Sequence, residues 1–302
     1  MQCSSKKDGK GSSKTILDKF KEETKILIAT KDINIVKKLK FLEIVKFMIK
    51  TNIKKTKREI YYCNPNIFKS QNCVVTLIKH YTLKFNLSEL EFNISASLKG
   101  LLFGKAKIYE RNRKYKIFEN LIPDMTSVYK IVIKYKKILI VEKESVFNFI
   151  KEIFKKYNKK IDFLMITGKG YPCLNTLNFI NKIKNKKIRI FGLFDFDPFG
   201  LDISRIYETR INNFKYKRIG ITMKDLRKYK YVKSDAINLT KYDISKIKSL
   251  EKLDQKKLKK DLNFLLRKKK CEIEIFTTFD NKFLIKYLSK KMKLRIKENF
   301  GK

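Results

Sequence analysis

Histidine is almost missing from this chain. His80 is its single copy among 302 residues. Cysteine is sparse and scattered: Cys3, Cys63, Cys73, Cys173 and Cys271 form no Cys-x-x-Cys pair. A structural zinc site therefore lacks ligands, and a disulfide framework lacks the spacing; a reduced, intracellular compartment fits. No apolar run reaches the length that crosses a bilayer, so no membrane role is expected. The polar start through Lys14 has no apolar stretch of the kind a secretory signal needs and reads as a disordered basic tail. Acidic residues are scarce as well. Thirty Asp and Glu stand against 73 Lys and Arg, giving a net charge of +43. Gly and Pro number only 10 and 4. Together with the excess of Lys, Ile and Asn, that is the composition of an A/T-biased genome, so the charge supports a polyanionic partner without proving one. Hydrophobic residues make up 43% of the chain, enough for a sizeable core and against wholesale disorder.

The stretch from Ile188 to Ile203 organises the rest. An apolar run of buried-strand type breaks into Asp195-Phe196-Asp197, followed by Pro198-Phe199-Gly200. Two carboxylates are thus expected at the carboxyl end of a strand, where ligands sit in open α/β sheets. Upstream, Ile138 to Val141 is a second buried run ending in Glu142. Phe163 to Ile166 is a third, ending in Thr167-Gly168-Lys169-Gly170. Helical spacing separates the three, so the pattern is strand-helix-strand-helix-strand with a parallel sheet. Parallel strands bring their carboxyl ends to one edge, so Glu142, Lys169, Asp195 and Asp197 are expected to converge there. Three carboxylates suit one or two Mg²⁺ ions, and Lys169 between two glycines suits a phosphate. Asp as a plain helix cap is the competing reading. The glycine loop is not a Walker A motif, so no ATP site is expected in this chain.

The amino-terminal third reads as helical. Phe41-Leu42-Ile44-Val45-Met48-Ile49 marks one helix face. Thr56 with Glu59 predicts a capping box opening a helix from Lys57 that Pro65 ends. That helix carries Tyr61 and Tyr62, about 100° apart, so both cannot face a core. Arg58 lies four residues before Tyr62, and Lys57 four before Tyr61, so spacing alone does not choose between them. Another helix starts at Ser70 or Gln71, with Val74, Val75, Ile78, Tyr81 and Leu83 at core spacing and His80 structural or solvated. A glycine-hinged ribbon is expected after Leu90, including Lys99-Gly100 and Phe103-Gly104. Helix, turn, helix and ribbon is the order of a winged-helix domain. Lys105 to Lys130 is weakly patterned, and Arg205 to Lys302 looks mainly helical.

These motifs in this order resemble the A subunit of topoisomerase VI and its eukaryotic meiotic double-strand-break relative. The likeness rests on Lys57 to Tyr62, Ser97 to Gly100, Val141 to Glu144, Thr167 to Gly170 and Asp195 to Gly200, and it extends to Glu272-Ile273-Glu274 and Tyr287-Leu288-Ser289. The resemblance implies an α/β multidomain protein, a winged-helix (CAP-like) domain followed by a Toprim domain. The expected boundaries are a tail over 1–14, the DNA-binding domain over 15–110, a connector over 111–130, and the Toprim domain with a helical extension over 131–302. It implies Tyr62 as the nucleophile, Arg58 assisting at the phosphate, Glu142, Asp195 and Asp197 as Mg²⁺ ligands, and Lys169 and Lys99 on DNA. The expected partners are double-stranded DNA, a second copy of the chain and an ATPase B-type subunit, in the nucleus. The product would be a double-strand break with 5′-phosphotyrosyl ends. Where the family commonly has Pro-Asp and Thr-Arg, this chain has Pro172-Cys173 and Thr176-Leu177. A non-cleaving basic DNA scaffold and a Toprim nuclease using water are the other readings.

Overall fold

The computed structural model describes residues 8–30, 34–95, 98–156, 162–184, 187–212, 214–228, 236–253, 255–267, 269–278 and 281–294. The chain forms two compact units, Met1–Ser97 and Leu98–Lys302.

In the first unit, α1 (Asp8–Thr30) and α2 (Ile35–Thr51) precede a two-residue strand β1 (Lys55–Thr56), then α3 (Lys57–Cys63), α4 (Pro65–Phe68), α5 (Gln71–Phe85) and β2 (Ile94–Ser95). The α2 face read from the sequence is buried through Phe41, Leu42, Ile44, Val45 and Met48. On α5, Val74, Ile78 and Tyr81 are buried, but Val75 and Leu83 are exposed, Leu83 by 72%. They lie off the i, i+3, i+4 stripe that Leu77 and Phe85 complete. Side chains at such buried positions each stabilise by about 1.5–3 kcal/mol relative to exposure. Part of the expected disordered tail is helical. Residues 8–14 belong to α1, which continues back from a stripe anchored by Ile16, Phe20 and Leu27. Residues 1–7 of that tail lie outside the described residues.

The second unit is built on a seven-stranded sheet, and it corrects the expected connector. Its first strands are β3 (Leu101–Glu110), β4 (Lys114–Leu121) and β5 (Val128–Ile133), and both β4 and β5 pair antiparallel with β3. The ribbon expected beside the helices thus belongs to this sheet from Leu101 onward. Residues 111–130 are mostly strand rather than linker. Leu102, Ala106, Ile108, Ile117, Val128, Ile131 and Ile133 are its buried side. β2 pairs in parallel with β1 in the first unit instead.

β6 (Lys137–Val141), β7 (Leu164–Thr167) and β8 (Arg189–Leu193) are the three parallel strands read from the sequence, with β6 in the middle. A fourth, β9 (Lys215–Arg218), adds to β8 in parallel, giving the order β4-β3-β7-β6-β8-β9. Side chains alternate across the sheet. Leu139, Val141, Met165, Phe191 and Leu193 face one core with α6 (Glu144–Lys156). Ile138, Ile140, Leu164, Ile166 and Ile190 face the other with α7 (Leu174–Asn181) and α8 (Pro198–Arg210). Beyond β9 lie α9 (Met223–Lys228), α10 (Lys241–Glu251), α11 (Lys256–Arg267), α12 (Ile275–Thr278) and α13 (Asn281–Met292). Among the described residues no helix is long and apolar enough to cross a membrane.

Candidate active site

In the first unit, the Thr56 side chain accepts from the Glu59 backbone and the Glu59 carboxylate accepts from the Thr56 backbone, closing the capping box that starts α3. The seven-residue helix buries Ile60 and turns Tyr62 outward, 55% exposed. The Arg58 guanidinium sits on the Tyr62 hydroxyl, with Nε at 3.4 Å and Nη2 at 3.3 Å. The two pairs differ in geometry. Tyr61 is half-buried against the helical core, and Lys57 turns away to Glu89 at 2.7 Å. Only Tyr62 of the pair combines exposure with a guanidinium at its oxygen. His80 is exposed, edge-on to Tyr81.

In the second unit, Glu142 follows β6, and the Asp195 to Asp197 turn follows β8 on the adjoining strand. Glu142 Oε2 accepts from the Asp195 backbone N–H at 2.8 Å. Asp195 Oδ1 accepts from the Ile273 N–H at 2.6 Å, and Oδ2 lies 3.1 Å from Lys143 Nζ. Phe196 exchanges two backbone hydrogen bonds with Cys271, so the 271–273 segment clamps the turn from outside. Asp197 does cap α8, accepting from the Gly200 N–H at 2.6 Å. Three buried carboxyls in this small space cannot all ionise cheaply. Burial first, and the neighbouring Asp195 second, push Glu142 up to about 8. Burial pushes Asp195 up to about 7, and it raises Asp197 as well.

The glycine loop is tied to the same edge. Gly170 N–H donates to the Glu142 carbonyl at 2.9 Å, and the Lys169 N–H donates to Thr167 Oγ1 at 3.0 Å. Lys169 and Gly170 both have positive φ, 52° and 84°, which is where a glycine is favoured. Lys169 Nζ pairs with Glu144 at 2.9 Å, and Lys99 Nζ donates to the Lys169 carbonyl at 3.4 Å. The structure therefore gathers Glu142, Asp195, Asp197, Lys169 and Lys99 in one unit, and Arg58 with Tyr62 in the other. Where the family pattern has an acid, Cys173 stands at the start of α7. Burial opposes its ionisation, but hydrogen bonds from Thr176 and the charge of Lys99 outweigh burial and lower its thiol pKa. Leu177 packs into the core on the α7 side of the sheet.

One residue has a role that sequence reading missed. Lys143 reaches Asp195, Glu272 Oε2 at 3.0 Å and Glu274 Oε2. Burial lowers its pKa, yet Asp195 and the two glutamates override this and raise it. Its position directly after Glu142 was the available signal. Among the described residues, no three His, Cys, Asp or Glu side chains form a ready cation cage. The donor chemistry still fits a hard divalent ion: all candidate ligands are carboxylates, and burial makes carrying their negative charge without a cation costly.

Gly200 holds this turn close. A Cβ there would lie 2.6 Å from the Asp195 carbonyl oxygen, a backbone contact that cannot swing aside. Gly200→Ala is expected to cost about 1–3 kcal/mol through this overlap. Thermal unfolding measures it, and an unchanged midpoint would show that the turn yields freely.

The fold and site define an α/β class: a mixed sheet with acids at the carboxyl edge of its parallel strands, in a chain that also carries a helical unit with an exposed Tyr-Arg pair. Comparison agrees. The family described as the Toprim domain of Spo11 and of the topoisomerase 6 A subunit matches residues 137–292, and "Type IIB DNA topoisomerase" matches 34–94. The chain belongs to the family of Spo11 and the topoisomerase 6 A subunit. It is 29% identical over 271 residues to the "Probable meiosis-specific protein SPO11 homolog" of Encephalitozoon cuniculi, covering 84% of this chain and 87% of that one. It is 28% identical to human "Meiotic recombination protein SPO11", covering 84% and 70%. It is 26% identical to the A subunit of DNA topoisomerase 6 from Arabidopsis thaliana, covering 77% and 59%.

Proposed function

We propose that this chain is a Mg²⁺-dependent DNA transesterase that makes double-strand breaks through Tyr62. The observation that carries this reading is the Arg58 guanidinium on the hydroxyl of an exposed Tyr62. The Tyr62 oxygen gives up its proton and attacks the phosphorus, the bond to the 3′ oxygen breaks, and the 3′ oxygen takes up a proton and leaves as a hydroxyl, so protons balance. One phosphodiester is exchanged for another, so no external energy is needed for the step. Arg58 presents a planar fork to the phosphate oxygens. Glu142, Asp195 and Asp197 would hold Mg²⁺, which supplies charge stabilisation at the phosphate when bound. Lys169 and Lys99 extend the cationic rim. The Lys169–Glu144 pair, at 33% and 44% side-chain exposure, is a surface pair of small worth that a phosphate can displace.

In the first unit, α2, α3 and α5 with the β1–β2 pair form the helical core of a CAP-like winged helix in this reading. Two copies act together, the tyrosine of one protomer serving the acids of its partner, so each copy cuts one strand. The cellular setting is meiotic recombination in the nucleus, or strand passage with an ATPase B-type subunit. Strand passage and a co-purifying ATPase mark the second setting.

The test is to incubate the full chain with DNA and Mg²⁺, with and without a B-type partner, then denature and probe DNA ends. Protein linked to 5′ ends is the expected result. Free phosphate ends would instead mark a nuclease using water. Salt-sensitive binding with no covalent product, even with the partner present, would mark a scaffold.

A further inference from the structure

We propose a second DNA-binding surface on the Toprim unit, at the amino edge of its parallel strands and separate from the acid cluster. Its basis is a row of cations set by strand register. Lys137 is the first residue of β6, Arg189 of β8 and Lys215 of β9. Lys137 is the register partner of Arg189, and Arg189 of Lys215. Adjacent strands lie about 4.8 Å apart, so three cations stand side by side on one face. Lys217, two residues after Lys215, extends the row along the same face of β9. Like charges directly opposite one another destabilise a sheet.

The same residues line a groove. Arg189, Lys215 and Lys217 form one wall, and Lys291 and Lys293 at the end of α13 form another, with Phe191 among the apolar lining. Among the described residues, no carboxylate lines this groove. Lys137 Nζ donates to the Lys293 carbonyl at 2.8 Å, which fixes the helix end against the row. Pairing separates this edge from the carboxyl edge of the same strands. At the carboxyl edge and around α8 the cations are neutralised: Lys143 by Asp195, Lys169 by Glu144, Lys246 by Asp202, Lys270 by Asp243. Among the described residues, Arg189, Lys215 and Lys217 have no acidic partner. Lys291 does, in Asp225 at 2.9 Å.

Unpaired cations in register fit a regular line of phosphates. About 20 Å of extended chain separates Arg189 from Asp195, so phosphates on this row are not those at the acid cluster. The occupant is therefore a second duplex segment, or a distant part of the same one. That the partner is DNA rests on the proposed function; the position and charge of the row do not.

The experiment uses the full chain and a triple variant, Arg189→Gln/Lys215→Gln/Lys217→Gln. Immobilised duplex is saturated with protein, and a second, labelled duplex is added. Wild type is expected to retain the second duplex, and the triple variant to retain about tenfold less. The salt slope of second-duplex binding should fall by about 2 to 3. Arg189→Lys/Lys215→Arg/Lys217→Arg should restore both, which separates charge from folding. Tyr62→Phe should bridge as wild type does, so a failure of the cleavage reading leaves this readout intact. Equal bridging and slope in wild type and the Gln variant would overturn the proposal. Loss of binding to anionic phosphatidylserine vesicles with DNA bridging unchanged would overturn it too, assigning the row to a membrane surface.

Discussion

Tyr62→Phe is expected to abolish covalent protein–DNA product, by about 10³-fold or more, while duplex binding stays unchanged. The substitution deletes one oxygen from an exposed side chain and leaves the ring that packs 5.1 Å from Tyr61. No core contact is lost, so folding should be untouched. Tyr61→Phe is the informative control. Its ring is half-buried against the helical core, and no guanidinium is bonded to its hydroxyl. It should form adducts at the wild-type level. Arg58→Lys keeps the charge but loses the planar fork, and a reduction of about 10²-fold is expected. Denaturing electrophoresis of end-labelled DNA reads all three. Adducts that persist in Tyr62→Phe, or vanish in Tyr61→Phe alone, would move the nucleophile elsewhere.

The parts of this site that were legible in the sequence are those where local rules and tertiary structure agree. Ile138 to Val141, Phe163 to Ile166 and Ile190 to Leu193 are buried on both faces, and so read as continuous apolar runs. Thr56 and Glu59 close their box within one helical turn, with no distant partner needed. The misses arise where lysine masks the pattern. β3 alternates only from Lys105 to Ile108 and β4 only from Lys114 to Ile117, and Lys105, Lys114 and Lys116 fill the exposed positions there, so the segment reads as a basic linker. β9 is Lys-Tyr-Lys-Arg, an edge strand blunted by charge, with no apolar signal of its own. Lys143 was hidden for another reason. Its meaning lies in Glu272 and Glu274, about 130 residues away, and no local rule connects them. The clamp of Ile273 on Asp195 spans 78 residues and is equally invisible to spacing.

The acid cluster makes metal-free stability fall as pH rises. Glu142 ordinarily titrates at 4.5 and is pushed to about 8; Asp195 ordinarily titrates at 3.8 and is pushed to about 7. Across that window the folded chain holds protons that the unfolded chain has released. The unfolded state then binds fewer protons, so the slope of stability with pH is negative. Moving a carboxyl's titration by one pH unit is worth about 1.4 kcal/mol, so the combined effect reaches a few kcal/mol before relaxation of the cluster. For a domain of this size the melting midpoint should drop by about 5–10 °C between pH 6 and pH 8. Asp202 and Asp243 act oppositely: their lowered pKa values give stability that is lost only as pH falls through the acid range. Glu142→Gln removes the principal buried titration, so it should raise the metal-free midpoint at pH 8 and flatten the profile. Mg²⁺ should restore wild-type stability at pH 8 and leave Glu142→Gln much less affected, because the ion takes the place of the missing protons on the carboxylates. Differential scanning fluorimetry across pH 5–9, with and without Mg²⁺, measures each of these effects. A flat wild-type profile would show that the cluster relaxes without cost. Equal Mg²⁺ stabilisation of the variant would place the ion away from Glu142.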